Sequence, residues 1–161
     1  QGVVELDQLL TSHDMNILTS ANINTLKQNS SSDYLAWGAR TLSSDPEWKY
    51  LSVRRTALFL ESSIHQGTTW AVFEPNDEPL WAHIGQSVET FMQTLFWRGA
   101  FQGASTQKAY FVKCGRETTT AADLAAGIVN IVVGFAPLKP AEFVILTIQQ
   151  KAGPPPFGKR A

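Results

Sequence analysis

Two apolar runs rich in β-branched residues, Ile128 to Phe135 and Glu142 to Gln149, are separated by only six residues, Ala136-Pro137-Leu138-Lys139-Pro140-Ala141. A parallel pair needs a crossover of about a dozen residues or more, so these runs pair antiparallel if they share a sheet. The two prolines fix φ and withhold backbone donors, which makes the connector rigid.

Upstream, the period of the apolar residues changes. Leu80, Ile84, Val88, Phe91 and Leu95 recur at spacings of 4, 4, 3 and 4, with Met92 widening the stripe. This predicts a helix that ends near Arg98 and stops at Gly99. Asn76, Asp77, Glu78 and Pro79 precede it, a pattern that suits a cap, a negative first turn and a proline before the first bonded amide. Val53, Ala57, Leu60 and Ile64 predict a second helix, with Gly67 as its C-cap. Ala121–Ala126 predicts a short third helix, capped by a Thr and closed by Gly127. Tyr34–Trp37, Thr68–Phe73 and Ala109–Cys114 have strand propensity, and Phe101–Gln107 reads as a Gly/Ser loop. Ser43–Pro46 is a turn or a helix start. The first 33 residues are polar and uneven, with one helical turn at Asn22–Leu26 and an exposed loop at Asn29–Asp33.

The resulting order, β-α-β-α-β-α-β-β, predicts an α/β or α+β fold with a mixed sheet packed by helices. At 161 residues the chain is long enough for one domain with its own core. Residues 1–33 form a lead-in, 34–150 the domain, and 151–161 an extended tail around Pro154-Pro155-Pro156. The chain does not start with Met, so it reads as processed or as a piece of a longer protein.

Charge narrows the function classes. The net charge is −1, so no basic field attracts nucleic acid or a membrane surface. No stretch of 18 apolar residues offers a membrane-spanning helix. Charged residues are 17% of the chain, below the usual value of about 25%. A subunit packed among neighbours has this composition, and ordinary variation also produces it. Cys114 is the single cysteine. Its apolar setting beside Tyr110-Phe111-Val112 suits a buried structural thiol rather than a reactive one.

No spacing in the chain carries catalysis. His13, His65 and His83 lack metalloprotease spacing, and there is no P-loop, dinucleotide fingerprint or nucleophile elbow. Glu74, Asp77 and Glu78 cluster, but capping accounts for them more simply than acid–base chemistry. Trp37, Trp48, Trp70 and Trp81 read as core or domain-junction packing. No metal or cofactor is implied. Since geometry rather than spacing defines an active site, a small α/β enzyme or ligand-binding domain is the alternative to a structural protein.

A series of short motifs favours the structural reading. Trp37-Gly38-Ala39-Arg40-Thr41-Leu42-Ser43 is followed by Trp48-Lys49-Tyr50-Leu51-Ser52-Val53-Arg54-Arg55, by Trp70-Ala71-Val72-Phe73-Glu74-Pro75-Asn76-Asp77 with Leu80-Trp81, and by Gly99-Ala100-Phe101-Gln102-Gly103. Tyr110–Cys114, Gly127-Ile128 and Ala136–Val144 complete the series. In this order, over residues 34–150, they resemble the C-terminal domain of contractile tail sheath proteins of phages and related injection machines.

The resemblance implies a non-enzymatic subunit that polymerises as stacked hexameric rings around an inner tube and contracts to drive the tube through a target envelope. Its implied partners are neighbouring sheath subunits, the inner tube protein, the baseplate and the tail terminator, with no nucleic acid and no direct membrane contact. Its implied location is a virion tail or contractile particle assembled in the bacterial cytoplasm. It also implies a terminal strand exchanged between subunits, which falls on Glu142, Phe143, Val144, Ile145, Leu146, Thr147, Ile148 and Gln149. Pairing within the chain's own domain is the other possibility. Both faces of that strand are largely apolar, so burial on both sides is expected. Candidate tube-facing residues are Lys108, Lys113, Arg116, Thr120 and Asp123. Arg40, Arg54 and Arg55 are candidate interdomain clamps to carboxylates such as Glu61, Glu74 and Glu142.

Overall fold

The computed structural model describes residues 5–29, 33–138 and 144–153. The chain divides into two compact units, Gln1–Arg55 and Thr56–Ala161.

In the first unit, α1 (Ser12–Ser20) starts at a capping box. The Thr11 hydroxyl accepts from the Asp14 amide, and the Asp14 carboxylate accepts from the Thr11 amide at 3.0 Å. The helix unwinds at Asn22, whose φ of 59° is a left-handed conformation that Asn tolerates. Next come β1 (Thr25–Gln28) and β2 (Tyr34–Trp37), an antiparallel pair with Thr25 opposite Trp37 and Gln28 opposite Tyr34. Asn24 fastens the following loop, accepting from the Arg40 amide at 3.0 Å and donating to the Arg40 carbonyl at 2.8 Å. A 3-10 turn at Pro46–Trp48 is capped by Asp45.

This unit departs from the sequence expectation. Leu26, expected in a helical turn, lies in β1, and α1 was not foreseen. Ile17 on α1 is exposed and Met15 is its one buried residue, so no apolar stripe announces the helix. Its signal is the Thr11–Asp14 cap.

α2 (Leu51–Gly67) begins in the first unit and continues into the second, where Ala57, Leu60 and Ile64 are buried as their spacing predicts. Gly67 is the last residue of the helix, one position before the cap it was expected to supply. The helix runs into a 3-10 turn, Thr69–Phe73, where a strand was expected. Thr68 explains this: its amide and its hydroxyl both donate to the Ile64 carbonyl, at 3.0 and 2.8 Å. The Trp70 indole then donates to the Gly67 carbonyl at 2.9 Å. Local bonds outweigh the β propensity of the run.

α3 (Glu78–Trp97) is the predicted long helix. Asp77 caps it, accepting from the Leu80 amide at 3.1 Å, and Gly99 follows with φ 75°. Leu80, Trp81, Ile84, Val88 and Met92 make its buried stripe. A single turn, α4 (Thr106–Ala109), leads into β3 (Tyr110–Lys113). α5 (Ala121–Ala125) has the expected Thr cap, Thr120, and ends at Gly127 with φ 68°.

β4 (Ile128–Phe135) and β5 (Val144–Lys151) complete a three-stranded sheet in the order β3-β4-β5. Helices packed with sheet are the architecture the sequence predicts. The strands of both sheets pair antiparallel instead of forming a mixed sheet. The reason is that α5 is too short to cross over, so the chain turns back from β3 into β4. The inner face carries Tyr110, Val129, Ile131, Val133, Phe135, Val144 and Ile148, all buried.

Candidate functional site

β5 pairs with β4 along its whole length, from Phe135 opposite Val144 to Ile128 opposite Lys151. Within this chain the terminal strand therefore takes the intradomain alternative. Val144 and Ile148 point inward, while Ile145 is 57% exposed and Thr147, Gln149 and Lys151 are exposed beside it. This corrects the expectation of burial on both faces: one face packs on the core and the other is open. Glu142 and Phe143 lie outside the described residues. β5 is also the last strand of the sheet, so its outer edge has no strand partner among the described residues.

The 3-10 turn Thr69–Phe73 lies against the C-terminal part of β5, and the chain is bonded on both sides just past the strand. The Ala152 amide donates to the Gly127 carbonyl, on the β4 side, at 2.8 Å. The next amide, Gly153, points the other way and donates to the Glu74 carbonyl at 2.9 Å. Nearby, the Trp81 indole donates to Asn76 Oδ1 at 2.8 Å, and Asn76 Nδ2 donates to the Ile128 carbonyl at 3.3 Å. Asn76 is buried, and both the oxygen and the nitrogen of its side-chain amide are bonded. The Glu-Pro-Asn-Asp segment and Trp81 are thus a strap. Asp77 starts α3, Asn76 holds β4, and Glu74 holds the chain beyond β5.

The candidate tube-facing residues are spread over α4 (Lys108), the end of β3 (Lys113), the loop after it (Arg116) and α5 with its cap (Asp123 and Thr120). Lys108 and Lys113 are exposed, the latter with its ammonium 5.7 Å from the Phe111 ring centre. Arg116 forms an ion pair with Glu78, and both side chains are mostly exposed. Thr120 and Asp123 have local partners. Asp123 accepts from the Thr120 amide at 2.9 Å and its hydroxyl at 2.7 Å, and from Asn130 Nδ2 at 3.0 Å. The Thr120 bonds hold the Asp123 carboxyl below the usual range.

Of the candidate clamps, Arg40 donates to the Thr19 carbonyl, and Arg54 lies over the Trp48 ring at 4.8 Å. Arg55 is exposed. Among the described residues, Arg40 thus meets a carbonyl and Arg54 an aromatic face. Trp81 is the buried tryptophan; Trp37 is 48% exposed, beneath Lys27, so of the expected core or domain-junction packing it does not take the core alternative. Cys114 is half-buried, and burial followed by the charge of Glu117 pushes its thiol up to about 12. Among the described residues no three His, Cys, Asp or Glu side chains come together to hold a metal, and no helix is long and apolar enough to cross a membrane. Asn76 and Trp81 stand in the sequence as motif residues, and only the fold brings them into a bond. An amide and an indole five residues apart were the available signal.

Comparison with known proteins fits this geometry. The family model for the phage tail sheath C-terminal domain matches residues 43–151. A putative prophage major tail sheath protein of Pseudomonas aeruginosa (strain UCBPP-PA14) is 30% identical over 127 residues, covering 79% of this chain and 31% of the relative. Among solved structures, the anti-feeding prophage baseplate superposes with a TM-score of 0.80 at 32% identity, over 90% of this chain and 41% of that one. The sheath complex of an extracellular contractile injection system, PVC, in its contracted state, gives 0.77 at 33% identity, over 88% and 41%. The chain spans between 31% and 41% of the length of these relatives.

Proposed function

This chain belongs to the phage tail sheath C-terminal domain family, and on that premise we propose that it is the assembly domain of a contractile sheath subunit. The subunit polymerises as stacked hexameric rings around an inner tube, and its contraction drives the tube through a target envelope. Its partners are neighbouring sheath subunits, the tube, the baseplate and the terminator, in a particle built in the bacterial cytoplasm.

The observation that carries this reading, beside the family itself, is the open outer edge of β5. Backbone donors and acceptors on an edge strand are a ready template for another strand. In the lattice, that edge receives a neighbour's terminal segment, or β5 itself, Val144–Gln149 with Glu142 and Phe143 before it, changes partners. Either event links subunits by main-chain bonds that survive domain rotation. Lys108, Lys113 and Arg116 supply a weak, reversible polar contact to the tube, because exposed charges bind without heavy desolvation. Thr120 and Asp123 border that surface. Arg55, and Arg40 and Arg54 through their present contacts, serve the subunit's internal junctions.

The test is assembly of the full-length protein, viewed by negative-stain electron microscopy. Hollow helical tubes are expected, and truncation after Pro140 is expected to abolish them. A small, discrete species from the full-length protein would sink the sheath reading. Tubes that persist after the truncation would remove only the role of β5.

A further inference from the structure

β5 is held in two different ways along its length. Its first five residues put Val144, Leu146 and Ile148 onto the inner face against Phe135, Val133 and Ile131. From Gln150 onward the anchoring is polar. Gln150, 5% exposed, places its side-chain oxygen 3.3 Å from the Thr68 hydroxyl, a long contact that shares the single proton bonded at 2.8 Å to the Ile64 carbonyl. Gly153 donates to the Glu74 carbonyl, and the segment that carries Glu74 is tied to β4 through Asn76. A cavity of about 600 Å3, lined by His65, Thr69, Val72, Ile128 and Lys151 among others, lies beside this end. The first half of the strand is therefore packed, and the second half is hydrogen-bonded next to empty space. A buried apolar side chain contributes more, net, than a neutral hydrogen bond that water can replace.

We propose that residues Gln150–Gly153 form a releasable catch. They detach from the Glu74–Asn76 strap as a local unit while Val144–Ile148 stay in the sheet, and Asn76 is the keystone that keeps the catch shut. Release frees the Gly153 amide and lengthens the open edge of β5 past the point where Glu74 now closes it. That consequence for strand addition rests on the proposed role of β5, but the catch itself does not.

Gly153 sets the fit. A Cβ there would stand 2.6 Å from the Glu74 carbonyl oxygen, closer than real contacts allow. Hence Gly153→Ala opens the catch without removing a buried polar group, and Asn76→Ala opens it from the strap side.

Hydrogen–deuterium exchange on the intact chain tests this. Opening without global unfolding is read as selective exchange. In the wild type, the bonded amides of Gln150, Ala152 and Gly153 should exchange at least about tenfold faster than those of Val144, Leu146 and Ile148, the alternate amides of the strand that face β4. Each variant should speed the first group at least about tenfold again and leave the second within about twofold. Equal wild-type rates in the two groups would overturn the proposal. So would a uniform rise across β4 and β5 in Gly153→Ala, which would make the end of the strand part of one cooperative unit. Should Asn76→Ala not fold, Gly153→Ala carries the test alone.

Discussion

The ring of Phe111 on β3 sits over Gly134 on β4, its partner in the register, and occupies the space that a side chain at Gly134 would need. A methyl group there would fall inside the envelope of the ring's Cε1 and Cζ atoms, so the glycine is a seat for the aromatic group. Gly134→Ala should force the ring off the sheet and destabilise the protein by about 1–3 kcal/mol. In a Phe111→Ala background the same change should cost much less, because the obstacle is gone. Urea denaturation of the two single variants and the double variant measures the coupling. Additive costs would show that the ring and the glycine do not interact.

The thiol of Cys114 should be chemically quiet. Burial and the neighbouring Glu117 push it up to about 12, so little thiolate exists near neutrality. Alkylation at pH 8 should run roughly a hundredfold slower in the folded protein than in urea-unfolded chains. Comparable rates would mean that the site opens readily to solvent.

Two helix caps should give the protein an acid-side stability slope. Asp14 and Asp123 accept bonds from Thr11 and Thr120, and each is held below the ordinary value of 3.8. A carboxyl depressed in the folded state stabilises it above the unfolded pKa. That contribution is lost as pH falls through the folded pKa. Asp123→Ala should therefore lower the melting temperature at pH 6, and the gap to wild type should narrow below pH 3.8. A gap independent of pH would assign the effect to packing rather than to the carboxylate.

What the sequence made legible follows from which forces dominate locally. α3 could be read because one face is buried over most of its length, from Leu80 to Met92. α5 could be read because Thr120 and Gly127 bracket it. The run Thr68–Phe73 was misread because its β-branched and aromatic residues carry strand propensity, whereas the Thr68–Ile64 and Trp70–Gly67 bonds that decide its shape are specific to this fold. α1 was missed because it buries little, leaving a cap as its only signal. In the site, the identity of β5 was legible from its apolar run. Its one-sided burial was not, because Ile145 and Leu146 look alike until a sheet partner defines which face is inside.

That one-sidedness separates fold from assembly at two neighbouring positions. Ile148 is 4% exposed on the inner face, opposite Ile131. Aspartate there would bury an unpaired charge, so Ile148→Asp should cost on the order of 4 kcal/mol or leave the chain unfolded. Ile145 faces outward opposite Gly134, so aspartate at that position stays solvated, and Ile145→Asp should change stability by about 0.5 kcal/mol or less. Its main-chain pairing with β4 is untouched. If the open face of β5 meets a neighbouring subunit, Ile145→Asp should keep the melting temperature of the isolated chain and still reduce tube formation by the full-length protein. A loss of stability equal to that of Ile148→Asp would show that both faces are buried after all. Normal tubes from the stable variant would place the intersubunit contact on the strand's edge alone and leave its outer face to solvent.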